Sequence, residues 1–386
     1  MREVVPRELG HHADIRVVTG TSVGAINACF LAATMEGLDE QGERMVNTWR
    51  SLRIEDVISL APKDLWRGFK MLLGRTPPKP APGQFRYGGL LQTRGLEKFV
   101  FRMVPWRQIH RNIDAGVLDA LAVSATRVGT GHTVVFIDGA DELLPSWSQN
   151  PFVRSVAARI GPRHALASAA IPLLFPSVKI AGSFYVDGGL RQNTPLSPAI
   201  RLGANRILVI SLKHISDAGR AQQREQEQRE REQEQAYPKP LYVAGKLLNA
   251  LMLDHTEYDM DRMERTNQLL AAGADAFGDP FRTEINESLV KRLRGAPLRR
   301  IDAELVRPSV DIGEISSEFI RNRRYRLRGK LAKKFFDRIA SAEAAHESDL
   351  ISYLLFDGDY ANELIELGYK DASAQQERLL RLFASE

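Results

Sequence analysis

The residues best able to do covalent chemistry are Ser22, in the pentapeptide GTSVG (20–24), and Asp187, in the run FYVDGGLRQNTP (184–195). A serine with glycines two positions before and after it fits the G-x-S-x-G pattern of a nucleophile elbow. In that turn a strand bends so sharply into a helix that the hydroxyl is pushed out at the strand's C-terminal end. On this reading Gly20 and Gly24 are positions where a side chain has no room. The N–H of Val23, opening the following helix, can then stabilise the oxyanion formed when Ser22 attacks an ester carbonyl. A random chain of this length shows the pattern about one time in eight at ordinary glycine and serine frequencies, so the setting must support it. It does: IRVVT (15–19) reads as a short buried strand, and residues 23–36, rich in Ala, Leu and Ile, read as a helix.

A serine nucleophile needs a base, and eight histidines are available. His11 and His12 precede the elbow strand, His110 and His132 lie before and inside predicted strands, and His164 sits in the helical GPRHALASAA; His214, His255 and His346 come later. None stands in a local context that marks a catalytic histidine. His214, just after a predicted strand, best fits the Ser, Asp, His order of an α/β-hydrolase triad. Asp187 is more distinctive. It ends a β-rich run before Gly188 and Gly189, where a carboxylate can project from a sheet edge toward Ser22. The same Asp-Gly-Gly is also a good turn in its own right.

These residues need a scaffold, and the first 215 residues alternate strand and helix in the manner of an α/β sheet covered by helices. ALAVSATRV (120–128) and HTVVFID (132–138) read as a hairpin joined through GTG, SVKI and SFYV surround a second tight turn, 197–203 reads as a helix and RILVIS (206–211) as a buried strand. Residues 40–112 look mostly helical, broken by TPPKPAPGQF (76–85), where five positions in ten are Pro or Gly. Residues 216–236, including the Arg, Glu and Gln run GRAQQREQEQREREQEQ, read as a charged low-complexity insertion without catalytic role. Residues 237–386 read as mainly helical, with strand-like material near ELVRPSVDI (304–312). RNRRYRLRGK (321–330), with six basic residues in ten, is either a solvated face or a surface for anionic lipid or nucleic acid.

Composition narrows the class. The chain has 386 residues, 44% hydrophobic and 26% charged, which is enough to bury a sizeable core. A net charge of +5 favours anionic surfaces without demanding nucleic acid. The single cysteine, Cys29, cannot form an internal disulfide and reads as a small buried residue. The N-terminal MREVVPRELG lacks the apolar core of a signal peptide, and no apolar run reaches transmembrane length, so a soluble, cytoplasmic chain is expected.

Taken together, GTSVGAINA with Ser22, ASAAIPLLFP (167–176) and DGGLRQNTPLSPAIRLGANRILVIS with Asp187 resemble a bacterial patatin-like phospholipase. The resemblance runs from about residue 13 to 212 and extends weakly through LDHTEYDMDRMERTNQLL and SYLLFDGDYANELIELG. It implies a three-layer α/β/α sandwich followed by a largely helical C-terminal region. It also implies a Ser-Asp dyad, with Ser22 forming an acyl-enzyme and Asp187 activating first the serine and then a water. The implied reaction is hydrolysis of fatty acyl esters in phospholipids or related lipids, without metal or other cofactor, with possible peripheral membrane contact. The family's elbow is preceded by a strand and a loop of the form G-G-G-x-[RK]-G that supplies oxyanion N–H groups. Here Gly10 is the only glycine before Gly20, so that strand and loop are expected to be missing and activity to be weak. A non-catalytic relative that binds membrane or partner through its basic C-terminal region is the alternative. IPLLFP (171–176) would line an acyl pocket or sit in the core. Trp66, Phe69, Met71, Leu72 and Leu73 would pack on the sheet or form a flap, and Arg191 and Asn193 would brace the Asp187 loop.

Overall fold

The computed structural model describes residues 1–59, 66, 83–140, 151–190, 194–214, 256–278, 280–293, 297–322 and 354–384. A short helix, α1 (Val4–Leu9), ends on Gly10, whose φ of 74° supplies a left-handed cap. Strand β1 (Val17–Thr21) runs into α2 (Val23–Ala33) with Ser22 alone between them. Helix α3 (Leu38–Arg50), the short strand β2 (Arg86–Tyr87), α4 (Arg94–Met103) and α5 (Trp106–Asp114) follow. Then come β3 (Ala120–Arg127), β4 (Thr133–Gly139), β5 (Val153–Ala157), α6 (Pro162–Ser168), β6 (Ser177–Ile180) and β7 (Ser183–Asp187).

These seven strands form one mixed sheet in the order β2-β6-β7-β3-β4-β5, with β1 also on β3. β3 and β4 pair antiparallel from Ala120–Gly139 to Thr126–Thr133, the hairpin expected from the sequence. Both are buried on both faces, and the alternation of their side chains shows why the sheet lies between two helical layers. Leu121, Val123, Ala125, Val134 and Phe136 join the main core with Ile26, Phe30 and Leu166 from α2 and α6. The intervening Ala120, Ala122, Val135 and Ile137 face the other way and pack with Leu202. Cys29 lies in the main core, and burial pushes its thiol pKa up, leaving it a small apolar residue.

Beyond the sheet come α7 (Leu196–Arg201), β8 (Arg206–Ile210), α8 (Thr256–Phe277), α9 (Pro280–Leu293), β9 (Asp302–Val306), α10 (Ile312–Arg321), α11 (Gly358–Ala374) and α12 (Gln376–Phe383). The sequence places RILVIS in the main sheet, but β8 instead pairs in parallel with β9, from Arg206–Asp302 to Ile210–Val306. Ile207 and Val209 turn their buried side toward Leu196, Met263 and Ile301. A two-stranded sheet thus joins residues 206–210 to residues 302–306. The C-terminal helices also fold back: α11 is capped by Asp357, whose Oδ1 accepts from the amides of Asp359 at 2.9 Å and Tyr360 at 3.3 Å. A side chain at Gly358 would collide with the Arg50 carbonyl, so glycine lets this helix start against the end of α3. No helix among the described residues is long and apolar enough to cross a membrane. Trp66, expected to pack on the sheet or to form a flap, is exposed, while Phe69, Met71, Leu72, Leu73, Arg191, Asn193, residues 216–236 and nearly all of 321–330 lie outside the described residues.

Candidate active site

One edge of β3 brings the candidate residues together. β4 occupies its other edge, while β1 and β7 share this one end to end. β1 pairs in parallel along Ala120 to Ser124, with Thr21 opposite Ser124; β7 pairs antiparallel along Arg127 to Ala125, with Asp187 opposite Ala125. The two strands thus run toward each other and finish on consecutive residues of β3. The next residue after Thr21 is Ser22, which meets Asp187 at the junction.

The turn at Ser22 is sharp: φ is 56° and ψ is −132°, a left-handed conformation that an L-residue adopts only when its surroundings hold it. A side chain at Gly20 would collide with the Gly24 carbonyl and come within 2.7 Å of the Ala25 Cα, so glycine is what lets α2 fold back over β1. Gly188 is equally confined, between the Ser124 carbonyl and, at 2.9 Å, the Thr21 Cγ2. Gly24 differs from the expectation: nothing lies within 4 Å of where its Cβ would be, and it is exposed. It faces the cavity, so its lack of a side chain keeps that space clear and is not needed for the turn.

The Ser22 Oγ donates to Asp187 Oδ2 at 2.6 Å, and the other carboxylate oxygen, Oδ1, accepts from the Gly189 amide at 2.7 Å. Asp187 is fully buried, and the loss of solvation pushes its carboxyl up to about 7, against the opposing pull of these two hydrogen bonds. Its own amide donates to the Ala170 carbonyl at 2.9 Å. The Ser22 amide donates to Ser168 Oγ at 2.9 Å, and the Ser168 hydroxyl donates to the Ser124 carbonyl at 2.6 Å. Val23 opens α2, where backbone N–H groups lack intrahelical partners and the helix end carries partial positive charge. Toward the N-terminus, the one glycine before the elbow, Gly10, caps α1.

His11 and His214 line the same cavity as Ser22, but Ser22 and Asp187 are hydrogen-bonded to each other, to Ser168 and to the Gly189 amide. His214 Nδ1 lies 3.1 Å from the Pro308 carbonyl, and His110 Nδ1 lies 2.9 Å from Asp138. His164 Nδ1 accepts from the Gly161 amide at 3.1 Å, and burial lowers its pKa to about 4. His255 and His346 lie outside the described residues. With both carboxylate oxygens of Asp187 already engaged, the geometry joins serine directly to carboxylate.

A cavity of about 1820 Å³ opens beside Ser22, larger than the roughly 300–1,000 Å³ of ordinary small-molecule pockets. Gly24, Ile26, Trp49, Ile171, Phe175 and Phe356 contribute to its wall. Ile171 and Phe175 of IPLLFP are therefore both core and lining, whereas Leu173 between them is 79% exposed. The outer edge of β1 and the strand β8 also face this space. The sequence assigns no role to Ser168, although it lies inside ASAAIPLLFP; its part is visible only when α6 is seen ending against the elbow. A hydroxyl bonded to a buried carboxylate, beside helix-end amides and an apolar cavity, can transfer an acyl group from an ester.

A family model described as patatin-like phospholipase matches residues 4–200, just over half of the chain. The crystal structure of VipD from Legionella pneumophila matches over 92% of this chain and 88% of that chain, at 14% identity and a TM-score of 0.26, a likeness too loose to bear on the site. No curated protein matches the chain. The chain belongs to the patatin-like phospholipase family.

Proposed function

We propose that this chain is a serine acyl hydrolase of the phospholipase A, lysophospholipase or lipid esterase type, working through a Ser22-Asp187 dyad. The observation that supports this reading is the 2.6 Å hydrogen bond from Ser22 to a buried carboxylate whose second oxygen is taken by the Gly189 amide. Ser22 Oγ attacks the ester carbonyl carbon while its proton passes to Asp187 Oδ2. The oxyanion meets the Val23 N–H at the start of α2, and collapse expels the alcohol, which takes the proton back from Asp187. Asp187 then removes a proton from water, whose oxygen attacks the acyl-enzyme; as the bond to Ser22 Oγ breaks, that oxygen takes the proton from Asp187 and the fatty acid is released. A carboxyl with a pKa of about 7 suits this exchange, because both of its forms are populated near neutral pH.

The substrate is a fatty acyl ester, held with its chain against Ile171, Phe175 and Phe356. The amides of the first turn of α2 are on offer to the oxyanion. One such donor is worth about 10² to 10³ in rate. The test compares wild type with Ser22→Ala and Asp187→Asn on a p-nitrophenyl ester and on phospholipid vesicles. Turnover that both substitutions abolish supports the dyad; equal background rates in all three proteins would sink it.

A further inference from the structure

We infer that Ser168 is a positioning residue for the nucleophile, fixing the direction of the Ser22 backbone through a hydroxyl that cannot turn away. Three observations carry this. The Ser168 side chain is fully buried, at the last residue of α6. Its single proton is committed to the Ser124 carbonyl at 2.6 Å, which leaves a lone pair to receive the Ser22 amide at 2.9 Å. Ser124 is the residue of β3 that registers Thr21. The hydroxyl therefore measures the elbow against the same strand residue that places the end of β1.

The need for such a brace follows from the backbone. At φ 56° and ψ −132° the Ser22 conformation is not one the chain adopts unaided. Rotation about φ would swing the Oγ away from Asp187, and rotation about ψ would turn the Val23 N–H away from the oxyanion. Holding the Ser22 amide on Ser168 fixes the peptide plane before Ser22 and keeps that N–H out of competition for the substrate. Two residues on, the Ala170 carbonyl accepts the Asp187 amide at 2.9 Å. Residues 168–170 thus carry the main chain of both members of the pair, one through a hydroxyl and the other through a carbonyl, and α6 sets their separation.

The kinetic part of this inference rests on the dyad reading, so its test carries a second readout. In Ser168→Ala, kcat for a p-nitrophenyl ester is expected to fall about 10- to 100-fold with KM changed less than threefold, and the pH midpoint of kcat/KM to stay where it is in wild type. Exchange of the Ser22 amide, resolved by NMR, is expected to quicken at least tenfold while the amides of Ala28 and Cys29 in α2 keep their wild-type rates. Ser168→Cys, which keeps a weak acceptor in place, is expected to fall between the two. A kcat within twofold of wild type, or unchanged Ser22 exchange, overturns the inference. So does equal acceleration throughout α2, or failure of both variants to fold, since either would make Ser168 a general support of the fold. If wild type shows no dyad-dependent turnover, the dyad reading fails and the exchange rates alone decide the role of Ser168.

Discussion

The junction on β3 and the docking of α11 on α3 hold the molecule together by different means. At the junction, backbone meets backbone: two strands end on adjacent residues, two glycines stand where any side chain would strike a carbonyl, and the carboxylate and the Ser168 hydroxyl that hold Ser22 are buried. At the α3–α11 contact, Arg50 reaches Asn362 at 2.7 Å and Glu366 at 3.1 Å, with the charged side chains 40% and 63% exposed. Beneath them lie a small apolar cluster with Phe319, Ile320, Leu355 and Tyr360 and the Phe356 ring, 6.2 Å from Phe175. The first arrangement fixes atoms to a fraction of an ångström because nothing in it can bend. The second fixes a surface, and can lose a contact without losing its shape. Precise placement of Ser22 and Asp187 therefore belongs to the more confined region, while the C-terminal helices supply a wall.

This contrast can be broken by substitution, beginning where the effect is greatest. Gly188→Ala places a methyl against the Ser124 carbonyl and Thr21, and is expected to cost at least about 3 kcal/mol in urea unfolding together with nearly all activity. Gly24→Ala, with open space around it, should unfold within about 0.5 kcal/mol of wild type. If the two glycines behaved alike, the division between a confined turn and an open cavity wall would be wrong.

The next effect is on pH. Because burial raises the Asp187 carboxyl to about 7, kcat/KM should climb as pH rises through about 7 and level off above it. Stability should move in the opposite sense. The unfolded carboxyl titrates near 3.8 and the folded one near 7, so the folded state holds the extra proton between those values. Its stabilising contribution is complete below about 4 and is lost as pH rises through 7. Asp187→Asn should flatten this part of the thermal-unfolding profile and leave Tm at pH 8 no lower than in wild type, while removing turnover.

Smaller effects should mark the wall. Phe356→Ala, at the cavity surface beside Phe175, is expected to raise KM for a long-chain ester several-fold and leave a short-chain ester unchanged. Arg50→Ala should cost less than about 1 kcal/mol, since its partner Glu366 is exposed. A larger loss there would show that the C-terminal helices govern the junction directly.

Much of the local structure was legible in the residues themselves. The run IRVVTGTSVGAINACF carries its strand, turn and helix in its composition, and GTG marks the hairpin between β3 and β4. Ser22 stands out because glycines lie two positions either side of it just after a β-rich run, and Asp187 because it ends such a run directly before Gly188 and Gly189. What brings them into contact is pairing between segments far apart in the chain, and a five-residue strand has no feature that names its partner. For the same reason β8 reads as another strand of the main sheet, though it pairs with β9. Gly24 shows the opposite error, a glycine credited with a steric duty because it completes a motif, where the space around it is open. Ser168 was hidden because a buried serine in an alanine-rich helix looks like packing until its two hydrogen bonds are traced.

The end-to-end arrangement of β1 and β7 also governs when the protein can first react. Ser22 and Asp187 are 165 positions apart, and neither local helix formation nor the β3–β4 hairpin brings them closer to bonding. Both outlying strands must dock on β3 before any hydrogen bond can join the pair, a non-local step that is slow relative to hairpin closure. Reactivity of Ser22 toward a fluorophosphonate is thus a clock for completion of the sheet: during refolding it should lag behind the recovery of helical signal, and a chain caught with either strand undocked should be chemically silent however much helix it contains.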